Sequence, residues 1–415
     1  MTDRPTADTS PVAPLAGIRV LELANFAAAP SGVAIMADMG AEVIKVEPIT
    51  GDPMWGAIRQ AKLPEGQANP DHPMQFVNRG KESVAIAIDT DAGIELIRRL
   101  ITRCDVVVTN LLPSRRERYG LDVASLHAIK PDLVIGVLTG YGEEGEEIDR
   151  PGFDITAFFS RSGLAGLPSE PEFGPSRFRP AQGDHTTGLA LFAGLMAGLR
   201  ARDVSGQGQV VEASLLRTAT WTGAFDLITA LVDGQSARPR GRTDAITPLL
   251  EAFLCADGRW IQLAMANPNR DWPRLCTALD RPDLVDHELY GTARARYQNI
   301  KSMMALLDEV FAARSRHEWG RLLDEHGCIW APVNTPAEAA VDPQVRATGA
   351  FEPVAHPDGT FETVAAPFRL PLADARVRGP YLGHGADTDD ALRRLLDLDD
   401  DDLARLRNEG AIGGP

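Results

Sequence analysis

Apolar and polar positions divide this chain into short strand-like runs and longer helical ones. Residues 17–24, centred on Val20-Leu21-Glu22-Leu23, partly alternate and predict a strand. Residues 30–39 place Pro30 near the start and Gly40 just past the end, which is the asymmetry of a helix. Residues 42–47 predict a second strand, stopped by Pro48. A strand–helix–strand unit with this connection suits a parallel pair. Residues 49–74 then read as a long loop, and loops of that length inside a domain are often functional. Val84 to Ile88 predict another strand. Thr90 is placed to cap a helix whose Ile94, Ile97 and Ile101 recur at helical spacing. Residues 106–108 and 133–138 are continuous apolar runs of the kind buried inside parallel sheets. The first 215 residues therefore predict an open α/β layer structure whose strand ends feed loops.

The pattern changes after about Val232. Residues 234–247 are polar and Arg-rich and read as a linker, and residues 332–344 read as a returning one. Between them, residues 248–331 predict a smaller mixed domain with elements near 253–263, 271–279 and 300–313. Residues 351–370 carry extended segments that turn at Pro357-Asp358-Gly359. The tail, 388–409, alternates Leu with acidic residues and predicts one terminal helix. Residues 1–14 are polar and predict a flexible terminus.

Composition narrows the function classes. A chain of 415 residues suits two or three domains. The net charge of -16 argues against general binding to nucleic acid or anionic membrane, although a few local Arg and Lys can still form an anion pocket. No run of about 18 apolar residues predicts a membrane span. No basic start followed by an apolar stretch predicts a signal peptide. Cys104, Cys255, Cys276 and Cys328 are widely spaced, without zinc-ligand spacing, and read as reduced thiols of a cytoplasmic protein with no metal site.

Common cofactor signatures are missing. No GxGxxG follows the first strand, and no GxxxxGK[ST], GxSxG or HExxH occurs. That leaves an enzyme whose own side chain does the covalent work, or a binder. Asp184, in Gly183-Asp184-His185-Thr186-Thr187-Gly188 ahead of a long apolar run, is the leading candidate nucleophile. It has two readings. As a helix N-cap its carboxylate accepts a backbone N–H, worth about 1 kcal/mol. As a nucleophile it uses the same place, where the helix terminus favours the anion and the flanking glycines admit a reacting group. Asn78-Arg79-Gly80-Lys81 is a basic turn that is either solvated or anion-binding. The same holds for Arg115, Arg116 and Arg118 after Asn110-Leu111. Thr139-Gly140-Tyr141-Gly142 follows a strand end, where ligands approach open α/β sheets.

Taken together, these segments resemble the class III CoA-transferases, the group that contains formyl-CoA transferase and carnitine CoA-transferase, with α-methylacyl-CoA racemase as a relative. The landmarks run from Pro14-Leu15-Ala16-Gly17 through Met39-Gly40-Ala41-Glu42, Asn78-Arg79-Gly80-Lys81, Gly183-Asp184 and Gly206-Gln207-Gly208-Gln209. They continue through Cys255-Ala256-Asp257-Gly258, Ala331-Pro332-Val333-Asn334 and Leu382-Gly383-His384. The resemblance implies a large Rossmann-like domain from both chain ends, 15–233 plus 345–415, with the small α+β domain inserted. It also implies an interlocked, ring-like homodimer. The implied reaction moves CoA from an acyl-CoA donor to a carboxylic acid acceptor through an aspartyl-CoA thioester on Asp184, with no tightly bound cofactor. It further implies that Ala27, Ala28, Asn78, Arg79, Lys81, Asn110, Leu111, Arg115, Arg118, Tyr119, Thr139, Gly140 and Tyr141 surround CoA.

The chain departs from its relatives in places. Formyl-CoA transferase has Gln where this chain has Ala27. The Asn-Phe-Arg-Pro-Gly pattern is Asn110-Leu111-Leu112-Pro113-Ser114, so its Arg is lost and Arg115, Arg116 or Arg118 is left to reach phosphate. The racemase His position is Phe153, and an acidic racemase partner falls near Leu254. Neither side chain moves protons, so transferase is favoured over racemase, with a catalytically silent CoA-ester binder as the third reading. Phe153, His185 and Leu254 are expected to line the acyl pocket, with His185 either a base or a polar spacer.

Overall fold

The computed structural model describes residues 11–56, 71–166, 175–236 and 241–414. Most of the N-terminal segment and of the long loop expected at 49–74 lie outside these residues. The chain forms two compact units. The first comprises Met1–Ala165, Arg177–Ser236 and Gly349–Pro415, and the second Gly166–Ser176 and Ala237–Thr348.

The first unit is built on six parallel strands, β1 (Arg19–Leu23), β2 (Glu42–Glu47), β3 (Lys81–Ala85), β4 (Val106–Thr109), β5 (Val134–Thr139) and β6 (Gln209–Ser214), in the order β3-β2-β1-β4-β5-β6. The strand order reverses between β1 and β4, and open α/β sheets bind ligands at the carboxyl ends beside such a switch. Helices α1 (Ala28–Asp38), α2 (His72–Asn78), α3 (Asp91–Ile101), α4 (Pro113–Tyr119) and α5 (Val123–Ile129) connect the first five strands. A π-helical turn (Asp154–Ser160) and α6 (Gln182–Ser205) lead to β6, and α7 (Leu215–Thr222) and α8 (Ala224–Asp233) follow. Every residue of β4 and β5 is buried, as expected where helices cover both sheet faces. One face carries Ile94, Ile97 and Ile101 of α3, and the other carries Leu191, Leu195 and Leu199 of α6. Thr90 caps α3 as expected, accepting from the Gly93 amide.

The second unit holds β7 (Ala252–Leu254), β8 (Trp260–Leu263), α9 (Pro268–Ala278), α10 (Ala293–Gln298), α11 (Ile300–Phe311), α12 (Arg316–Glu325), β9 (Trp330–Val333), α13 (Pro336–Val341) and α14 (Pro343–Ala347). Its three strands form an antiparallel sheet around Phe253, Trp272, Phe311 and Trp319. Structure therefore occupies the stretches read as linkers. Arg242 pairs with Asp308 and covers the Phe253 ring, and residues 330–341 supply β9 and α13.

The chain then returns to the first unit through the antiparallel pair β10 (Phe351–His356) and β11 (Gly359–Val364), followed by α15 (Thr388–Leu396) and α16 (Asp400–Asn408). The single terminal helix expected over 388–409 is two helices. Asp397 adopts a left-handed conformation (φ 54°) and Asp399 starts the next helix by accepting from Asp402 N. Among the described residues no helix is long and apolar enough to cross a membrane.

The strand expected at 84–88 instead starts at Lys81, because a buried ion cluster neutralises that charge. Lys81 Nζ lies 2.6 Å from Glu22 Oε2 and also donates to Asn78 Oδ1 and to the carbonyls of Pro30 and Val77. Lys45 Nζ lies 3.0 Å from Glu22 Oε1 and donates to the Ala24 carbonyl. Both ammonium groups and the Glu22 carboxylate are fully buried. Burial alone would neutralise all three, but the two cations hold the Glu22 carboxyl below its usual range.

Helices α1 and α6 cross at two glycines. A Cβ on Gly188 would lie 2.5 Å from the Ala28 carbonyl oxygen, and one on Gly32 would lie 2.4 Å from the Gly188 carbonyl oxygen. Both obstacles are backbone, so neither yields by a rotamer change. The crossing sets the start of α6, with Asp184, against the start of α1. We predict that Gly188→Ala forces the helices apart and costs about 1–3 kcal/mol, read as a lower urea midpoint. An unchanged midpoint contradicts this packing.

Candidate active site

A cavity of about 490 Å³ opens at the switch point. It is lined by the loop after β1 (Asn25, Phe26, Ala27, Ala28), the loop after β4 (Asn110, Leu111, Leu112, Arg115), the end of β5 (Leu138, Thr139, Gly140), Phe153, Asp154 and Asp184. The two central loops are stitched together by one side chain. Asn110 Oδ1 accepts from the Asn25 amide at 3.2 Å, and Asn110 Nδ2 donates to the Asn25 carbonyl at 2.8 Å.

Asp184 is not an N-cap. It is the third residue of α6, which starts at Gln182 behind Ala181 in a left-handed conformation. Gly183 packs without a side chain against Phe158 and Asp154, where a Cβ would lie 2.6 Å from Phe158 Cγ and 3.0 Å from Asp154 Cβ. That contact sets Asp184 beside Asp154. The half-buried Asp184 carboxylate has no hydrogen-bond or ion-pair partner among the described residues.

The sequence predicts an ionised Asp184, and the structure corrects this. Burial, followed by repulsion from Asp154, pushes its carboxyl up to about 7. The helix terminus does not offset them, since no described backbone N–H donates to the carboxylate. Asp154 is itself buried. Its Oδ1 accepts from the Ile155 amide and its Oδ2 has no partner.

Seven residues expected around CoA line this cavity: Ala27, Ala28, Asn110, Leu111, Arg115, Thr139 and Gly140. Phe153 lines it too. Tyr141 stands just behind, its ring packed on Gly152 and beneath Arg150. Arg118 and Tyr119 line a separate cavity of about 710 Å³ with Arg98 and Thr90. Tyr119 lies between Arg115 and Arg118, with the two guanidinium carbons 6.0 and 5.6 Å from its ring centre.

Asn78, Arg79 and Lys81 sit elsewhere. All three are buried, and none lines the Asp184 cavity. Arg79 grips Asp38 through two nitrogens, while Asn78 and Lys81 belong to the Glu22 cluster. The charges of Arg79 and Lys81 are paired with the interior carboxylates of Asp38 and Glu22. Of the three candidate phosphate arginines, Arg116 is buried against Glu143, whereas Arg115 is exposed and without an ion pair among the described residues.

His185 is not among the residues that line the cavity. Its ring meets Phe76 edge-on at 4.9 Å, its Nδ1 is buried without a partner, and burial lowers its pKa despite Asp154. It is a packed neighbour of Asp184. Leu254 belongs to β7 of the second unit and is half exposed there.

Phe26 and Asp154 are the residues that sequence reasoning missed. Asp154 had a signal in Gly152-Phe153-Asp154. Phe26 had none, because its importance comes from its backbone: a φ of 63° is left-handed and costs an aromatic residue about 1–3 kcal/mol. None of the four cysteines competes as a nucleophile, since all are buried and burial raises each thiol well above its ordinary range.

The first unit thus sets a carboxylate without a partner among the described residues at the switch point of a Rossmann-like parallel sheet. Residues 15–388 match the model of CoA-transferase family III, and the chain belongs to that family. It is 33% identical over 312 residues, 75% of this chain and 77% of the other, to the (R)-2-hydroxy-4-methylpentanoate CoA-transferase of Clostridioides difficile. It is 29% identical over 418 residues, 99% of this chain and 92% of the other, to the human succinyl-CoA:glutarate CoA-transferase. Among solved structures, a CAIB/BAIF family protein from Brucella suis superposes with a TM-score of 0.83 at 29% identity, covering 93% of this chain and all of that one.

The raised Asp184 carboxyl carries a stability consequence. An acid whose folded pKa lies above its unfolded value of about 3.9 favours the folded state when protonated. The resulting penalty therefore grows as pH rises from about 4 to about 7. Asp184→Asn removes it. The expected result is a melting temperature a few degrees above the parent at pH 8, with the gain vanishing near pH 4. A gain at pH 4 that equals the gain at pH 8 contradicts this electrostatic account.

Proposed function

We propose that the protein transfers CoA from an acyl-CoA thioester to a free carboxylic acid, with Asp184 as the covalent carrier. One observation carries this reading: the Asp184 carboxylate lines a cavity at the sheet switch point with no partner among the described residues. An aspartate serving only structure would be hydrogen-bonded.

The Asp184 carboxylate oxygen attacks the thioester carbonyl, the C–S bond breaks, and a mixed anhydride and CoA thiolate result. The thiolate attacks the aspartyl carbonyl, expels the donor carboxylate and leaves an aspartyl-CoA thioester. The acceptor carboxylate then attacks that carbonyl and releases thiolate. Thiolate attack on the acceptor's acyl carbon forms the new CoA ester and frees Asp184. A carboxylate suits this cycle because its acyl adduct stays activated for CoA to re-enter.

The amides of Ala27 and Ala28, at the start of α1, have no acceptor among the described residues and line the same cavity. They are placed to hold the oxyanion of each tetrahedral intermediate. Exposed Arg115 at the mouth suits a CoA phosphate. Racemisation would need an acid and a base on opposite faces of a substrate carbon. Phe153 supplies neither, and Asp154 packs against Gly183 on the same side as Asp184.

The active form we propose is a homodimer of the interlocked kind that the resemblance implies. Helix α8 has no buried residue, and Trp221, Phe225 and Leu231 are 84%, 90% and 86% exposed. An apolar stripe of this kind fits burial against a second copy.

Quenching during turnover, or trapping with hydroxylamine, should mark Asp184 alone. Asp184→Ala should lose the adduct and at least roughly a thousandfold in rate. The parent kcat/KM should rise with pH through about 7, as the carboxyl ionises. Arg115→Ala should raise the KM for CoA esters about tenfold with little change in kcat. Full activity in Asp184→Ala ends the proposal.

A further inference from the structure

The wall of the cavity carries more information than its nucleophile. Phe26 and Phe153 meet edge-on across it, with ring centres 5.5 Å apart and planes at 84°. Both rings remain substantially exposed, at 37% and 57%, so they are not ordinary core. Phe26 holds its ring there from a left-handed backbone, a conformation that bulky residues avoid. Such a conformation persists only where neighbours over-determine it, and here they do.

Each residue of the turn 24–26 is pinned separately. The Ala24 carbonyl accepts from Lys45 Nζ at 2.7 Å. Both backbone groups of Asn25 bond Asn110. The Phe26 amide donates to Asp52 Oδ1 at 3.1 Å, and the same oxygen accepts from the Met54 amide at 2.9 Å. Asp52 is itself buried, and its Oδ2 lies 3.2 Å from Lys45 Nζ, an ion pair although not an aligned hydrogen bond. One ammonium thus fixes both ends of the turn, directly at Ala24 and through Asp52 at Phe26.

Resting on the CoA-transfer reading, we infer that Phe26 and Phe153 form the acyl-selecting wall, that Asp52 is the positioning residue that sets it, and that the preferred acyl group ends in an uncharged branched or aromatic unit. Two aromatic rings at right angles offer one face and one edge to a flat or branched apolar end. The charge on the wall points the same way. Asp184 and Asp154 already place two carboxyl groups there, so a distal carboxylate on the acyl chain meets repulsion and finds no ammonium among the described lining residues. Arg115, the one cation among the described lining residues, is itself exposed.

The test compares kcat/KM for 3-phenylpropanoyl-CoA and 4-methylpentanoyl-CoA with that for succinyl-CoA, each with a common acceptor acid. The full-length parent should favour the first two by at least about tenfold. Phe26→Gly is the informative variant, since glycine accepts the left-handed backbone and the turn survives without the ring. It should cut that preference by roughly tenfold, and Phe153→Ala should do the same. Asp52→Asn should lower the preference through KM for the apolar esters, whereas a purely structural role would slow all esters alike. A parent that prefers succinyl-CoA, or a Phe26→Gly variant with unchanged preference, overturns the inference. If no ester labels Asp184 or turns over, the CoA-transfer reading fails and this inference falls with it. Labelling by every ester without discrimination removes the inference alone.

Discussion

The buried ammonium of Lys45 is the interaction on which the rest of the first unit depends. It sits on the second strand with no access to water, and it is held there by Glu22, Asp52 and the Ala24 carbonyl. Burial works against its charge, but the carboxylates of Glu22, Asp52 and Glu47 outweigh burial and raise its pKa. Lys81 shares Glu22 yet behaves oppositely. It is pulled down to about 8 by burial, which its one carboxylate partner does not outweigh while the cations Lys45 and Arg79 add repulsion. Lys45 is therefore a permanent charge, and the loop that forms one wall of the cavity is anchored to it.

That dependence explains what could be read from the residues alone. Apolar runs at β4 and β5 announce themselves, because parallel strands covered on both faces need little else. Thr90 and the helix behind it were equally legible, since a cap and an apolar stripe are local features. Lys81 was not. Its charge looked like solvent-facing turn chemistry, and only the chain brings Glu22, 59 residues away, to neutralise it. The split of the tail into α15 and α16 was hidden for a similar reason. Leucines and acids continue across the break, and the interruption lies in the backbone of Asp397.

The site divides along the same line. The Gly183-Asp184 motif pointed to Asp184, and the resemblance pointed to the loops after β1, β4 and β5 that line the same cavity. The protonation of Asp184 was not legible. A helix start favours an anion, but burial and the Asp154 carboxyl decide the outcome, and both are properties of the assembled cavity. Asn78 and Arg79 read as ligand contacts from a family motif, and the fold buries both against interior partners. Phe26 escaped notice because an alanine-rich stretch gives no hint of a strained dihedral angle.

The route by which the sheet edge is closed has a further consequence. Asp52 donates its amide to Glu47, which accepts from the Tyr381 hydroxyl across 334 positions of chain. Tyr381 also exchanges two hydrogen bonds with Gln75, and Ile86 bridges to Ile412. On the ribosome, the second unit emerges in full before these partners exist. The support behind Asp52 therefore closes late, and contacts of such long sequence separation form slowly. A nascent chain carries Asp184 and the whole second unit before Tyr381, which completes this framework, is made.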